Sequence, residues 1–470
     1  MLTYHMESRG SLPLYEFLYQ KIRQDILTGT LTAHEKLPSK RKLARHLQIS
    51  VITVENAYAQ LVLEGYVYSQ EKQGYFVSPL ALETTVPIQT MPAGSQSRTD
   101  GSTTLRHPPV TEALSYTEFP FSVWARLMRQ ILTEENKTLL APTPFHGVTE
   151  LREAIAWHLF HFRGMTVSPG QIIIGAGTEY LYGRIIQLLG KDLRYAVENP
   201  GYPKIARIYQ HYGAVCQFIP MDDKGFSVQA LTWTGAEVTH VSPSHHYPTG
   251  IVMPAGRRFD LLAWAAQHSS RYIIEDDYDS EFRYQGRPIP SLYSMDQSDK
   301  VIYINTFSRT ISPSIRISYM VLPPPLMERY QSELSFYSCP VPSFEQYTLA
   351  RFIRQGYFEK HLNRMKTAYR KQRDGLKSAL RQAFGSIPHQ FIGEDAGLHF
   401  LVKVDTKKSE TALIRTARAS GLNLSFLSEY VHGRSDEYNA TLIVDYSRLD
   451  PGDLDVTARQ MADLFRTSDE

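Results

Sequence analysis

Two domains of different class, a small α+β unit followed by a large doubly wound α/β unit, are what this sequence predicts. Three observations carry the prediction. The stretch from Pro79 to Thr104 is rich in Thr, Ser, Pro, Gly and Gln, has no aromatic residue and follows neither a helical nor a strand period, so it reads as a linker. Before it, three amphipathic helical patterns precede two short alternating strands. After it, short apolar runs alternate with helical stretches, the pattern of a mainly parallel sheet covered by helices. The boundaries are residues 11–78, a linker at 79–109, and 110–465.

In the small domain a first helix runs from Leu14 to Leu27, with Phe17, Leu18, Ile22 and Ile26 on one face and Gly29 as its stop. Ser39 is a natural N-cap for a second helix in which Leu43 and Leu47, four residues apart, face the core. Ser50 caps a third helix whose buried stripe is Val54, Tyr58 and Leu61, closed by Gly65. Tyr66 to Val77 then makes two short strands around a glycine-containing turn, the shape of a wing. Helix-turn-helix plus wing is the arrangement these elements make. Lys36, Lys40, Arg41, Lys42 and Arg45 put five cations and no carboxylate between positions 36 and 45, beside a helix N-terminus whose free amides also attract phosphate.

In the large domain the candidate strands are Gln171–Ile174, Leu193–Val197, Val238–Val241, Tyr272–Ile274 and Val301–Ile304, each short, apolar and followed by polar or glycine-rich sequence. Open α/β sheets bind ligands at the C-terminal ends of such strands.

Composition sets outer limits. At 470 residues and 42% apolar, the chain is ordinary globular material with room for two or three cores. A formal charge of +2 makes any nucleic-acid surface a local feature. Cys216 and Cys339 have no metal-ligand spacing and read as two buried thiols in a reducing compartment, and no metal site is expected. No apolar run approaches the length of a membrane helix, roughly 18 residues, and the amphipathic N-terminus is unlike a signal peptide, so the expected location is the cytoplasm.

The chemistry-bearing residues follow the strands in order. Gly175-Ala-Gly-Thr-Glu179 joins a strand to a helix, where the amides and hydroxyl of Gly177 and Thr178 can hold a phosphate. Tyr202, on the rigid turn Asn199-Pro-Gly-Tyr202, suits stacking on a flat heterocycle. Glu275-Asp-Asp-Tyr278 ends an apolar strand, so one of its acids can stabilise a protonated pyridine nitrogen while the tyrosine reaches the neighbouring phenolic oxygen. Thr306, Ser308 and Arg316 are the ingredients of a phosphate cup, and Arg448, after strand-like Leu442–Tyr446, can clamp a carboxylate.

The small domain resembles the GntR class of DNA-binding domains through Leu37-Pro-Ser-x-Arg-x-Leu-Ala44, Ala57-Tyr58, Leu61, Glu64-Gly65 and Gly74-Tyr-Phe-Val77. The resemblance implies operator contacts from Ser39, Lys40, Arg41, Ser50, Thr53 and Gly74. It departs at Val51, where the family usually has an arginine, so polar readout at that position is lost. The large domain resembles the fold-type-I aminotransferase-like domain of the MocR subfamily of GntR-type regulators, including GABA-responsive and vitamin-B6-responsive members. Ile172–Thr178, Tyr272–Phe282, Ile315–Leu322 and Ala396–Phe400 carry that likeness.

The resemblance implies a pyridoxal 5'-phosphate site with Asp276 on the pyridine nitrogen, Tyr278 on the phenolic oxygen, Tyr202 on the ring face and Arg316 on the phosphate. It also implies Arg448 on an effector carboxylate, double-stranded operator DNA as partner, and a head-to-tail homodimer. Ile304–Arg316 looks like the cofactor-lysine loop, with Arg309 where the Schiff-base lysine is expected; a natural replacement and an introduced lysine-to-arginine change both stay open. A guanidinium stays protonated and non-nucleophilic, so the resemblance implies a regulator with non-covalent cofactor binding at most; the cation is expected to pair with Asp276 or a phosphate. The alternative is a pyridoxal-phosphate-dependent aminotransferase fused to a DNA-binding module. Lys204 stands where the GABA-responsive member has an effector-binding arginine, and Tyr247 where aminotransferases have a cofactor-binding asparagine. GABA, a B6 vitamer, an amino acid or a dipeptide all stay open as effector.

Removing one of the helix-two cations tests the DNA surface directly. Arg41→Ala is expected to weaken operator binding and to lower the slope of log affinity against log salt by about one counterion. An unchanged slope would move the phosphate-contacting surface elsewhere.

Overall fold

The computed structural model describes residues 2–4, 6, 13–63, 66–70, 73–78, 119–133, 137–284, 290–420, 422, 424–433 and 437–466. The linker and the Glu64-Gly65 pair lie outside them. The chain divides into two compact units, Met1–Thr104 and Leu105–Glu470.

In the first unit α1 (Leu14–Leu27), α2 (Lys40–Leu47) and α3 (Val51–Leu63) are followed by the hairpin of β1 (Val67–Gln70) and β2 (Gly74–Val77). The serines act as caps: Ser39 Oγ accepts from Lys42 N at 3.3 Å and Ser50 Oγ from Thr53 N at 3.0 Å, each worth about 1 kcal/mol to its helix. Leu18, Ile22, Leu43, Val54, Ala57, Tyr58 and Leu61 are fully buried in one cluster, with Leu47 partly buried at its edge. Val67 pairs with Val77 and Gln70 with Gly74, giving an antiparallel hairpin. Gly74 has φ +111°, which the turn requires and which a side chain would strain.

In the second unit, helices α4 (Phe121–Thr133) and α5 (Thr149–Arg163) precede the sheet. Its strands are β3 (Ile172–Gly175), β4 (Arg194–Asn199), β5 (Val215–Asp222), β6 (Gly225–Phe226), β7 (Val238–Val241), β8 (Tyr272–Asp276), β9 (Val301–Thr306) and β10 (Ser318–Val321). They lie in the order β3-β10-β9-β8-β7-β4-β5-β6. β5, β4, β7, β8 and β9 run parallel, and β10 is antiparallel to both neighbours. All six residues of β9 and all four of β7 are buried, as strands covered on both faces must be. Helix α6 (Thr178–Leu189) leaves β3, and α7 (Pro203–His211) leaves β4.

A smaller antiparallel sheet follows, in the order β11 (His389–Ile392), β12 (His399–Val404), β14 (Thr441–Asp445), β13 (Ser425–Phe426). The long helix Tyr357–Phe384 packs Met365, Leu376 and Leu380 into its core with Phe400, Val402 and Val444. Cys339 is buried, but Cys216 is only half-buried, on a strand near the sheet edge most of whose residues are partly exposed. Among the described residues no helix is long and apolar enough to cross a membrane.

Candidate functional site

Strand β8 delivers Asp276 to the C-terminal edge of the central sheet, where it is buried. Tyr182 of α6 donates its hydroxyl to Asp276 Oδ2, and His240 Nε2 lies 3.4 Å from the same oxygen. Asp276 Oδ1 is buried without a partner. Burial and the adjoining Asp276 carboxylate push the Tyr182 phenol well above its usual range, so it stays a donor. His240 is in turn fixed by Tyr209, whose hydroxyl lies 2.6 Å from Nδ1.

Two residues on, the Tyr278 hydroxyl lies 3.3 Å from His245 Nδ1, which itself sits 2.9 Å from Asp279 Oδ2. Burial and Asp279 raise the Tyr278 phenol well above the ordinary value, against the pull of Arg309. Thr306, the last residue of β9, accepts from Ser308 N at 3.1 Å and from Ser318 Oγ at 2.7 Å. Ser308 Oγ is buried without a partner. Ser318 pairs with both Thr306 and Gly175, which brings the β9 end beside the β3–α6 turn.

At that turn Gly177 has φ +93°, and a Cβ there would stand 2.3 Å from Arg316 Nη2. A glycine is therefore what lets the guanidinium lie over the turn, beside Thr178 at the start of α6. Arg316 itself adopts φ +52° and reaches the carbonyl of Ala176 at 3.4 Å.

Arg309 does not pair with Asp276, contrary to the sequence expectation. Its Nη1 lies 3.8 Å from Asp445 Oδ2 at the end of β14, and Arg448 Nε reaches the same oxygen at 3.1 Å. Asp445, the acid it meets instead, is partly exposed and ends a strand of the other sheet, while Tyr182 and His240 hold Oδ2 of Asp276. Burial lowers the pKa of Arg309, but Asp445, Tyr278, Asp279 and Tyr247 outweigh it and the net shift is upward. About a third of the Arg309 side chain, 35%, stays accessible, so the pair contributes on the order of 1 kcal/mol or less.

Tyr202, at the N-terminus of α7, is 46% exposed and meets the Tyr247 ring edge-on at 5.9 Å; Tyr247 donates to Tyr430 at 3.0 Å. Lys204 is bonded to Glu179.

In the first unit Arg41, Lys42 and Arg45 are exposed, while Lys40 is tied to Glu55 of α3 at 2.6 Å. The basic run has no carboxylate in sequence, but folding supplies one. Tyr182, His240 and His245 escape the sequence reading because each acts through a partner distant in the chain, whereas Asp445 is within reach of it, as an acid three residues before Arg448.

Beneath the site lies a layer of buried charge. Arg163 meets Asp277 at 2.6 Å, Tyr303 donates to the same carboxylate at 2.6 Å, and Asn305 donates to Glu281 at 3.2 Å. Burial and then Asp277 push the Glu281 carboxyl up to about 7.

A model of the gntR family of bacterial regulatory proteins matches residues 14–77, and one of class I and II aminotransferases matches residues 113–429. The chain is similar to the uncharacterized HTH-type transcriptional regulator YdeL of Bacillus subtilis, with 38% identity over 88% of this chain and 89% of that one. It is also similar to the probable rhizopine catabolism regulatory protein MocR of Rhizobium meliloti, with 30% identity over 95% and 92%. Its fold is like that of kynurenine aminotransferase from Pyrococcus horikoshii, with a TM-score of 0.66 at 23% identity, over 74% of this chain and 88% of that one.

The buried layer generates a pH prediction. A carboxyl raised from 4.5 to about 7 binds more protons folded than unfolded, so its ionisation costs stability as pH climbs through that window. Glu281→Gln removes the titration, and its unfolding free energy is expected to fall less than that of the wild type across the same interval, by an amount on the order of 1–3 kcal/mol. Parallel stability curves for the two proteins would contradict it.

Proposed function

The chain belongs to the GntR family of bacterial regulatory proteins, in the MocR-type branch that carries an aminotransferase class I and II domain, and on that premise we propose that this domain is a sensor and not a catalyst. The observation that carries the reading is Arg309, a guanidinium held at Asp445 in the loop where a cofactor lysine is expected. A group that keeps its proton neither attacks an aldehyde nor removes a proton from a bound amine, and transamination needs both.

The residues around it fit pyridoxal phosphate. Asp276 Oδ1 and Ser308 Oγ are buried without partners, and Gly177 leaves room at the Arg316 guanidinium that a Cβ would fill. Asp276 would hold a proton at the pyridine nitrogen, and Tyr278 would face the phenolic oxygen. Arg316, Thr306, Ser308 and the Gly177–Thr178 amides would hold the phosphate, with Tyr202 on the ring face. When bound, the cofactor supplies an electron-withdrawing ring bearing an aldehyde. Arg309 would bring a positive charge to that site and no nucleophile.

The effector end falls to Arg448 and Lys204, each already charge-paired, with Asp445 and Glu179. A carboxylate-bearing effector therefore enters by exchanging with one of these acids. Such a ligand shifts the balance between two arrangements of a head-to-tail homodimer only through its different affinity for them, and so alters the spacing at which paired DNA-binding units meet a cytoplasmic operator.

Arg309→Lys tests the reading. Incubated with pyridoxal phosphate and reduced with borohydride, the variant is expected to carry a pyridoxyl group at residue 309 by peptide mass spectrometry, and the wild type none there. A variant left unmodified would mean that the pocket is not a cofactor site.

A further inference from the structure

In a helix-turn-helix the second helix of the motif enters the major groove, and the residues at its N-terminal end meet the base edges. Helix α3 starts with the Ser50 cap, and its first two residues are branched aliphatics turned outward: Val51 is 43% exposed and Ile52 68%. A single exposed isoleucine needs no explanation. Here two adjacent branched aliphatics, Val51 and Ile52, stand at the end of the helix that faces DNA, in the same unit as the exposed cations Arg41, Lys42 and Arg45 of α2.

What α3 lacks is as informative. From Val51 to Leu63 it contains no Lys or Arg, so it has no donor for the two-pronged guanine contact that is commonest in specific complexes. Glu55, which could accept from cytosine N4, is occupied by Lys40 at 2.6 Å. With Val54, Ala57, Tyr58 and Leu61 buried, the outward strip is Ile52, Glu55, Asn56 and Ala59, at the spacing of one helix face. That strip offers methyl groups and one carboxamide. The major-groove partners of those two chemistries are the 5-methyl of thymine and the N6/N7 edge of adenine.

We infer that α3 reads A·T pairs at the centre of each half-site, with Ile52 seated against a thymine methyl and Asn56, four residues on, paired with adenine. The position where the family's usual arginine is missing thus belongs to an apolar reading surface. The phosphates fall to the α2 cations and the bases to a helix with no cation of its own.

The full-length chain is used to select duplexes from a randomised library at fixed salt, and each thymine of the selected site is replaced in turn by deoxyuridine, which removes one methyl group. At one position per half-site the wild type is expected to bind about fourfold more weakly, the worth of a single buried methyl. Ile52→Ala should bind the thymine duplex as weakly as the wild type binds the uracil duplex and should no longer distinguish them, while Ile52→Val keeps the discrimination. Ile52 is two-thirds exposed, so its truncation leaves the core intact, and an unchanged salt slope in Ile52→Ala reports that the phosphate contacts remain. A selected site whose half-sites are G·C at their centre, uracil replacements that are neutral throughout, or a loss that persists undiminished in Ile52→Ala would each overturn the inference.

Discussion

A buried carboxylate with one oxygen bonded and the other bare organises the large unit. Asp276 stands at the end of β8, after the buried Ile273 and Ile274, where its backbone is in register with Ile304 of the parallel strand β9. Tyr182 and His240 hold Oδ2, and Tyr209 holds His240. Leaving Oδ1 without a partner costs about 1–3 kcal/mol, a cost natural cores rarely bear unless a ligand completes the site. The glycine turn before α6, the Thr306–Ser318 bond and Arg316 are all arranged at the same edge of the sheet.

Against that floor, Arg309 changes the chemistry without changing the fold. A lysine at the same point could shed its proton; a guanidinium between Asp445 and two tyrosines is held more firmly in its charged form. Asp445 serves two cations at once, Arg309 at 3.8 Å and Arg448 at 3.1 Å, so the end of the small sheet and the loop after β9 share one negative charge. An anionic ligand that takes either arginine leaves Asp445 to the other, so the two positions respond together. That coupling is the kind of differential contact a sensor needs.

Much of this was legible because local chemistry and fold agree. The caps at Ser39 and Ser50, the buried stripe of α3 and five strands of the large sheet appear within a few residues of their predicted places, since burial on both faces makes those strands near-continuous apolar runs. Strand β5 is not among the expected strands: Val215–Asp222 is partly exposed along most of its length and is interrupted by Gln217 and Pro220, as strands near a sheet edge can be. The site divided in the same way. Residues at strand ends and turns could be named from spacing, but their partners could not. Tyr182 is 94 residues from Asp276, and Asp445 belongs to a different sheet from Arg309. Glu55 on Lys40 was hidden for the same reason, because only packing of α2 on α3 brings them together.

The central claim is reversible uptake of pyridoxal phosphate by a floor built on Asp276, and equilibrium dialysis of the wild-type chain against labelled cofactor, beside Asp276→Ala, tests it most directly. The account predicts saturable binding that washes out fully, leaves no borohydride-fixed label at residue 309 of the wild type, and weakens at least tenfold in the variant, the effect of losing an interaction of about 1.4 kcal/mol or more. Absence of saturable uptake by the wild type, or equal affinity in Asp276→Ala, would contradict it.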